Sequence, residues 1–200
     1  MENQNHAFNY AYLLKQVKAR VLLAQKKAIY TANEEMLSMY WDIGKLLSES
    51  QKQIGWGNNA LEKLANDLKN DYPEMKGFSV RNCQFMIQFY NEYNQQLTNT
   101  KRAVSYLNNN EIVLPISKLG WSHNITLMQR TKDIKARYWY MIQCLKNGWS
   151  RDFLIEAIKQ DYYHSHGALA SNFDTTLPEI QAKQVKETLK DPYIFDMLTF

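Results

Sequence analysis

The side chains best suited to bind a ligand lie in residues 79–93, a segment with helical periodicity. Projected at 100° per residue, one side of this helix carries Arg81, Gln84, Gln88 and Asn91. Arginine reads guanine through two hydrogen bonds, and glutamine or asparagine reads adenine in the same way. Arg81 lies in the first turn, where a recognition helix usually contacts DNA. The pattern therefore predicts a DNA-binding helix.

Basic and hydroxyl side chains near helix starts are candidates for phosphate binding. Lys76 and Ser79 flank the start of the same helix, where free backbone N–H groups favour an anion. A second basic group further along the chain consists of Lys132, Lys135 and Arg151. Because lysine and arginine neutralise phosphates, these residues extend the predicted DNA interface.

The other side of the 79–93 helix is predicted to face the core. It carries six mostly apolar residues, namely Val80, Cys83, Met86, Ile87, Tyr90 and Tyr93. Asn82 falls within the same arc. We therefore expect Asn82 to be a buried hydrogen-bonding residue rather than a DNA contact.

Motifs that would indicate an enzyme are missing from the sequence. It contains no P-loop, GxGxxG, GxSxG, HExxH or zinc-finger pattern. His164 and His166, with Asp161 nearby, form the one cluster that suggests a metal, but a zinc site needs three or four ligands. His123 beside Ser122 is expected to be a helix-start residue, because no orienting acid is identified for a nucleophile pair. The sequence predicts a binding module.

Composition favours an all-α fold and excludes several classes of protein. The chain has 200 residues, of which 45% are hydrophobic and 22% charged, so it can bury a core. It has only 7 Gly and 4 Pro, too few for the many turns of a β-sandwich or barrel. Without a long apolar run or a signal-peptide pattern, we expect a cytoplasmic protein that does not enter a membrane. Cys83 and Cys144 stand alone and are expected to be reduced thiols.

Charge is unevenly distributed, although the net charge is only +4. Residues 3–33 contain five bases and no acid, and residues 118–151 contain seven bases and a single acid. From residue 152 onward, eight acids face four lysines. A polyanion would contact the basic stretches and avoid the acidic one, which favours DNA as the partner. The second stretch also includes Arg137 and Lys146, which adds them to the candidate phosphate-binding surface.

A long helix is predicted over residues 9–53, because nothing in this stretch breaks a helix. Its apolar positions alternate steps of four and three at Tyr10, Leu14, Val17, Val21, Ala24 and Ala28. This heptad seam is typical of a coiled coil and predicts a homodimer through the N-terminal helix. Thr31 and Glu34 form a capping-box pattern, so a second helix starting there is the alternative.

Three similar tripeptides are predicted to mark helix junctions in the rest of the chain: Gly77-Phe78-Ser79, Gly120-Trp121-Ser122 and Gly148-Trp149-Ser150. At each, the glycine is predicted to end or approach a turn, and the serine side chain to accept from N–H groups of the next helix. The resulting map has helices at residues 59–71, 79–93, 122–130, 133–146 and 150–161. Residues 61–93 and 133–161 each have the spacing of a helix-turn-helix, and residues 94–119 are predicted to be a loop or a wing.

Several dispersed motifs resemble one known family. The first half of the chain contains Tyr40-Trp41-Asp42-Ile43-Gly44-Lys45, Gly55-Trp56-Gly57, Leu64-Ala65-Asn66-Asp67-Leu68 and Lys76-Gly77-Phe78-Ser79-Val80-Arg81-Asn82. The second half contains Trp121-Ser122-His123-Asn124, Arg137-Tyr138-Trp139-Tyr140, Asn147-Gly148-Trp149-Ser150-Arg151 and Lys190-Asp191-Pro192-Tyr193-Ile194-Phe195-Asp196. In order and spacing, these motifs resemble the N-terminal domain of YhcG-like PDDEXK nucleases over nearly the whole chain.

The resemblance implies a winged-helix-like DNA-binding region that precedes a restriction-endonuclease-like nuclease domain. We divide the chain into a long coiled-coil-like helix at residues 1–56 and a helix-turn-helix, winged-helix-like DNA-binding region at residues 57–200. The nuclease domain, whose carboxylates would hold Mg²⁺, is absent from these residues, so this chain is expected to have no cofactor and no catalytic residue. The main hypothesis is a non-catalytic DNA-targeting domain, and a helical dimerisation or protein-interaction module is the alternative.

Overall fold

The computed structural model describes residues 2–54, 58–98, 115–167, 187, 188 and 190–194. This part of the chain forms six α-helices: α1 (Glu2–Ile54), α2 (Asn58–Asp71), α3 (Val80–Thr98), α4 (Trp121–Arg130), α5 (Ile134–Asn147) and α6 (Arg151–Lys159). Short 3₁₀ turns at Lys76–Phe78 and Ile116–Lys118 and a π-helical turn at Tyr163–Gly167 complete it. No strand occurs among these residues, which confirms the predicted all-α fold with one long N-terminal helix.

The stretch predicted to be a loop or a wing is described only at its ends. α3 continues to Thr98, and Ile116–Lys118 forms a 3₁₀ turn. Residues 99–114 lie outside the described part of the chain. α1 begins at Glu2, seven residues before its predicted start, and apart from the end of α3 the other helix boundaries agree with the sequence map to within two residues.

α1 is a single helix, and the alternative break near Thr31 does not occur. Glu34 does not fold back to cap a new helix, because its Oε1 lies 2.9 Å from Lys118 Nζ. The buried Asn33 side chain donates to the carbonyl oxygens of Ser117 (2.9 Å) and Leu119 (3.1 Å). These contacts fasten the middle of α1 to the segment before α4. Although α1 is long, no described helix, α1 included, has a stretch apolar enough to cross a bilayer.

The C-terminal half of α1 packs closely against α3. A Cβ atom built on Gly44 would lie 2.1 Å from the backbone oxygen of Met86, so the two helices meet at a point that accepts only glycine. Nearby, Ser48 Oγ donates to Asn91 Oδ1 at 2.7 Å. The main core forms around this contact from Met36, Leu37, Tyr40, Phe78, Met86, Phe89, Tyr93, Trp121, Met128 and Ile194.

A second core lies between α4, α5 and α6. α5 ends at Gly148, whose φ of 59° is left-handed, and α6 begins after Ser150, whose Oγ accepts from Phe153 N at 3.2 Å. Both features confirm the role predicted for this Gly-Trp-Ser tripeptide. The buried residues of this core are Leu119, Leu127, Ala136, Tyr140, Met141, Cys144, Leu145, Leu154 and Ala157.

One base of the second basic stretch belongs to the interior. Arg137 is 1% exposed, and its guanidinium donates to the Glu92 carboxylate of α3 and to the Thr131 carbonyl oxygen. The same group lies over the Tyr93 ring, 5.3 Å from its centre. The prediction that Arg137 adds to a phosphate-binding surface is therefore wrong, because α5 turns this side chain toward α3.

Candidate nucleic-acid interface

A cavity of about 490 Å³ lies where the first turns of α3, α4 and α6 come together. The three Gly-x-Ser junctions of the sequence thus meet at one place, and residues near the C-terminus join them. The polar and charged residues that line the cavity are Ser79, Arg81, Asn82, Ser122, His123, Gln129, Ser150, Arg151, Asp152, Glu187, Lys190 and Asp191.

The start of α3 is fixed by hydrogen bonds from Ser79 and Asn82. Ser79 Oγ accepts from the backbone N–H of Asn82 at 3.2 Å, the capping role predicted for this serine. The Asn82 side chain donates to Gly77 O (2.6 Å) and accepts from Trp121 Nε1 (2.7 Å). Asn82 is 1% exposed, which confirms the prediction that it is buried and hydrogen-bonded. It ties the first turn of α3 to that of α4.

The start of α4 is capped from elsewhere in the chain, not by Ser122. α4 begins at Trp121, and Asp191 Oδ2 accepts from both the backbone N–H and the Oγ of Ser122 at 2.8 Å. The predicted capping role of Ser122 is therefore wrong, because its hydroxyl donates to this carboxylate. A Cβ atom on Gly120 would lie 2.6 Å from Asp191 Oδ2, so the glycine gives the carboxylate room.

His123 links α4 to the start of α6. Its Nε2 lies 2.9 Å from the carbonyl oxygen of Trp149, and because a carbonyl only accepts, Nε2 carries the proton. The side chain lines the cavity, yet the residue is only 3% exposed. Burial, which disfavours the charged imidazolium, lowers the pKa of His123 below its ordinary 6.5.

The lowered pKa of His123 makes the stability of the fold sensitive to mild acid. Unfolded chains take up a proton at this residue near pH 6.5, whereas the native chain takes it up only at lower pH. The free energy of unfolding is expected to fall as the pH drops below about 6.5, by at most about 1.4 kcal/mol per pH unit from this group. Urea denaturation at several pH values measures the slope.

A His123→Gln variant is the control for this titration. Its amide can still donate to Trp149 O, but it does not titrate, so the part of the slope that comes from His123 should disappear. Equal slopes between pH 6.5 and 5 in the two proteins would show that His123 is not responsible.

Arg81 and Arg151, predicted as DNA contacts from separate helix pairs, line the same cavity. Both are exposed, and neither forms an ion pair with any described residue. The Arg81 guanidinium lies 5.5 Å from the centre of the Phe85 ring, which holds it near the wall of the cavity. Together with Ser79, these are the predicted residues that the structure brings together.

The other predicted residues of α3 lie in different surroundings. Gln84 is exposed but does not line the cavity. Gln88 is half-buried and donates to Glu92 Oε2 at 3.4 Å, and the half-buried Asn91 accepts from Ser48 as described above. Asn91 has its partner because α3 packs on α1, whereas Gln88 has its partner one turn farther along α3 itself.

The remaining predicted bases are not part of the cavity. Lys132 and Lys135 are exposed beside the N-terminus of α5, which follows the far end of α4. Lys76 begins the 3₁₀ turn ahead of Ser79, and its side chain lies outside the described part of the structure. Neither lysine near α5 lines the cavity that holds Arg81 and Arg151.

Three carboxylates also line the cavity, and two of them have partners. Asp191 binds the first turn of α4, and Glu187 Oε1 lies 2.9 Å from Lys190 Nζ. Among the described side chains, this leaves Asp152 facing the two arginines. By formal charge, Arg81, Arg151 and Lys190 balance these three carboxylates, so the cavity offers a ligand two guanidinium groups without an ion pair among the described residues rather than a net positive charge.

Asp191 is the main residue of the site that the sequence did not assign. In the sequence it is one residue of the closing motif that runs from Lys190 to Asp196, and no local pattern gives it a role. Its partner Ser122 is far away in the sequence, so neither periodicity nor local capping patterns reveal the contact. The steric demand on Gly120 becomes visible only once Asp191 and Ser122 are placed together.

The described residues contain no group of three or more His, Cys, Asp or Glu that would hold a metal. His164 Nδ1 lies 2.7 Å from Asp161 Oδ1 on the exposed surface, which is a local contact between residues three apart in the sequence. The chain has one Glu-x-Lys triplet, Glu74-Met75-Lys76, and it lies in the turn ahead of α3 with Glu74 exposed.

Comparison with known proteins identifies the family of the chain. The family model described as the DUF1016 N-terminal domain matches residues 16–165, three quarters of the sequence. This is the N-terminal region of YhcG-like proteins, which confirms that part of the resemblance found in the motifs. No curated protein and no solved structure shows significant similarity to the chain. The matched range spans α3 to α6 and all three Gly-x-Ser junctions, and the chain belongs to the DUF1016 N-terminal domain family.

Proposed function

We propose that this domain binds DNA through the cavity at the starts of α3, α4 and α6. In this proposal it is the targeting part of PDDEXK-type nucleases and has no catalytic activity of its own. The observation that carries the proposal is the convergence of Arg81 and Arg151, two exposed guanidinium groups without an ion pair among the described residues.

The chemistry of the cavity suits a phosphate group. Guanidinium groups bind phosphate through two parallel hydrogen bonds, which fix its position as well as its charge. The first turns of α3 and α6 add partial positive charge, whereas Asp191 already neutralises that of α4. A DNA backbone that enters the cavity would thus meet two arginines and two helix starts.

Base reading, in this proposal, is restricted to the beginning of α3. Arg81 and Gln84 are exposed there, while Gln88 and Asn91 have protein partners. Because Arg81 holds a phosphate in the cavity, Gln84 is left to read a base edge, and the sequence preference should be modest, since a good bidentate contact discriminates by about 1–3 kcal/mol. Affinity is expected to come mainly from the backbone, with Lys132 and Lys135 contacting phosphates farther along.

Fluorescence anisotropy with a labelled duplex and a branched DNA, across a salt series, tests the proposal. The wild-type chain should lose affinity steeply with salt. The Arg81→Ala/Arg151→Ala variant should bind more weakly, with a slope of log K against log salt reduced by about 1.8, because each lost phosphate contact removes about 0.9. Both side chains are exposed, so the fold should persist, as circular dichroism can verify.

The matched control replaces Arg130, an exposed arginine at the end of α4 that does not line the cavity. Arg130→Ala removes one guanidinium group outside the cavity, against two inside it in the double variant, and should leave most of the affinity in place. If the double variant binds both DNAs with wild-type affinity and slope, the cavity is not the interface. If the wild-type chain binds neither DNA at low salt, the domain does not bind DNA by itself.

A further inference from the structure

The N-terminal part of α1 exposes an apolar stripe. Projected at 100° per residue, five of its exposed apolar side chains fall within an arc of about 100°, whereas Tyr12, Leu22 and Leu23 lie outside this arc. Tyr10 is 66% exposed, Val17 51% and Val21 50%. Exposed leucines complete the stripe, which runs through Tyr10, Leu13, Leu14, Val17 and Val21.

No described residue covers this part of the helix. Residues 10–25 are all exposed, and from Tyr10 onward the first buried position of α1 is Asn33. The stripe from Tyr10 to Ala28 is about 27 Å long. Helices owe most of their stability to packing of an apolar face, and a patch of this kind usually marks a protein contact. We therefore expect a binding partner to cover the stripe.

Basic side chains border the stripe on both sides. Arg20 and Lys27 follow one border and Lys18 the other, at the positions that flank the seam of a coiled coil. Residues 3–33 contain no acid, and the next acids along α1 are Glu34 and Glu35, so no acid lies within one helical turn of those bases. A second copy of the same helix would bring like charges together without compensation, which disfavours the homodimer predicted from the seam.

We propose that residues 10–28 of α1 dock an acidic amphipathic helix of a different protein. Its apolar side would cover the stripe, and its flanking glutamates or aspartates would pair with Lys18, Arg20 and Lys27. DNA fits less well, since phosphates would neutralise the bases but leave the tyrosine, leucine and valine side chains in water. The proposal is independent of DNA binding at the cavity.

Two synthetic helical peptides of three heptads test the surface with the full chain. Both carry leucine at the seam positions, and they differ only in having glutamate or lysine at the flanking positions. The glutamate peptide should bind about tenfold or more tightly than the lysine peptide, as anisotropy of the labelled peptides would measure, and the difference should shrink with salt. The Lys18→Glu/Arg20→Glu/Lys27→Glu variant should reverse the preference.

Two double variants test whether the peptides bind at the stripe and not elsewhere on the chain. Val17→Asp/Val21→Asp should abolish binding, because it places charges in the seam. Tyr12→Asp/Leu23→Asp, which changes two equally exposed residues on another side of the helix, should not. All four side chains are exposed, so folding is not at risk.

Three results would overturn the proposal. One is equal binding of the two peptides, or binding of neither. Another is a dimer of the chain alone in sedimentation that Val17→Asp/Val21→Asp dissolves, which would make a second copy the occupant. The third is binding to anionic vesicles that the same variant abolishes while neither peptide binds, which would assign the stripe to a membrane surface. The Val17→Asp/Val21→Asp variant should still bind DNA like the wild-type chain. Measuring this keeps each of the three results separate from a failure of the proposal that DNA binds at the cavity.

Discussion

Replacing Glu92 by glutamine is expected to lower the free energy of unfolding by about 3 kcal/mol, because it leaves the charge of a buried arginine uncompensated. Arg137 is 1% exposed and relies on the Glu92 carboxylate for its only ion pair among the described residues. Its remaining partners, the Thr131 carbonyl oxygen and the Tyr93 ring, offer partial charges only. The pair also joins α3 to α5, so its loss weakens the contact between the two cores.

A double-mutant cycle distinguishes this cause from a loss of packing. Arg137→Met removes the buried charge, so adding Glu92→Gln to it should cost far less than Glu92→Gln alone, with a coupling of about 1 kcal/mol or more. Glu156→Gln changes an exposed carboxylate that pairs with Lys159 and should leave the denaturation midpoint unchanged. Strict additivity in urea denaturation would mean that the buried ion pair does not account for the effect.

Local features of this fold were predictable because their causes are local. Gly148 and Ser150 act through turn geometry and capping within a few residues, and both were identified from the tripeptide alone. The burial of Asn82 followed from its position on an apolar arc. The unbroken α1 was also predicted, although the reason that Glu34 forms no cap, its ion pair with Lys118, was not.

Features that depend on contacts distant in the sequence were not predictable. A helical projection distinguishes one buried side from one exposed side. α3 packs against α1 and α4 at once, so more than one side of it is in contact: Asn91 accepts a hydrogen bond from Ser48, and Phe89 is part of the main core. Arg137 looks like any other base in a basic stretch until Glu92 is placed opposite it. For the same reason, the joining of Arg81 and Arg151 in one cavity required the tertiary structure.

The second large effect is expected at Gly44, where alanine should lower the free energy of unfolding by about 2–3 kcal/mol. Its Cβ would lie 2.1 Å from the Met86 carbonyl oxygen and 2.6 Å from the carbonyl carbon, and both are backbone atoms that cannot swing aside. α1 and α3 must therefore move apart, which loosens the core around Met86 and strains the Ser48 to Asn91 hydrogen bond.

The sign of this effect makes the Gly44 test decisive. In an open helix, glycine to alanine stabilises by about 1 kcal/mol, because alanine has the higher helix propensity. A fall in the thermal midpoint of Gly44→Ala thus reports the close approach of the two helices and not the propensity of α1. Lys45→Ala, at the exposed neighbouring position, should change stability by less than about 0.5 kcal/mol. If Gly44→Ala is as stable as the wild type or more so, α1 and α3 do not meet at this residue, and the packing that positions the start of α3 beside the cavity is different.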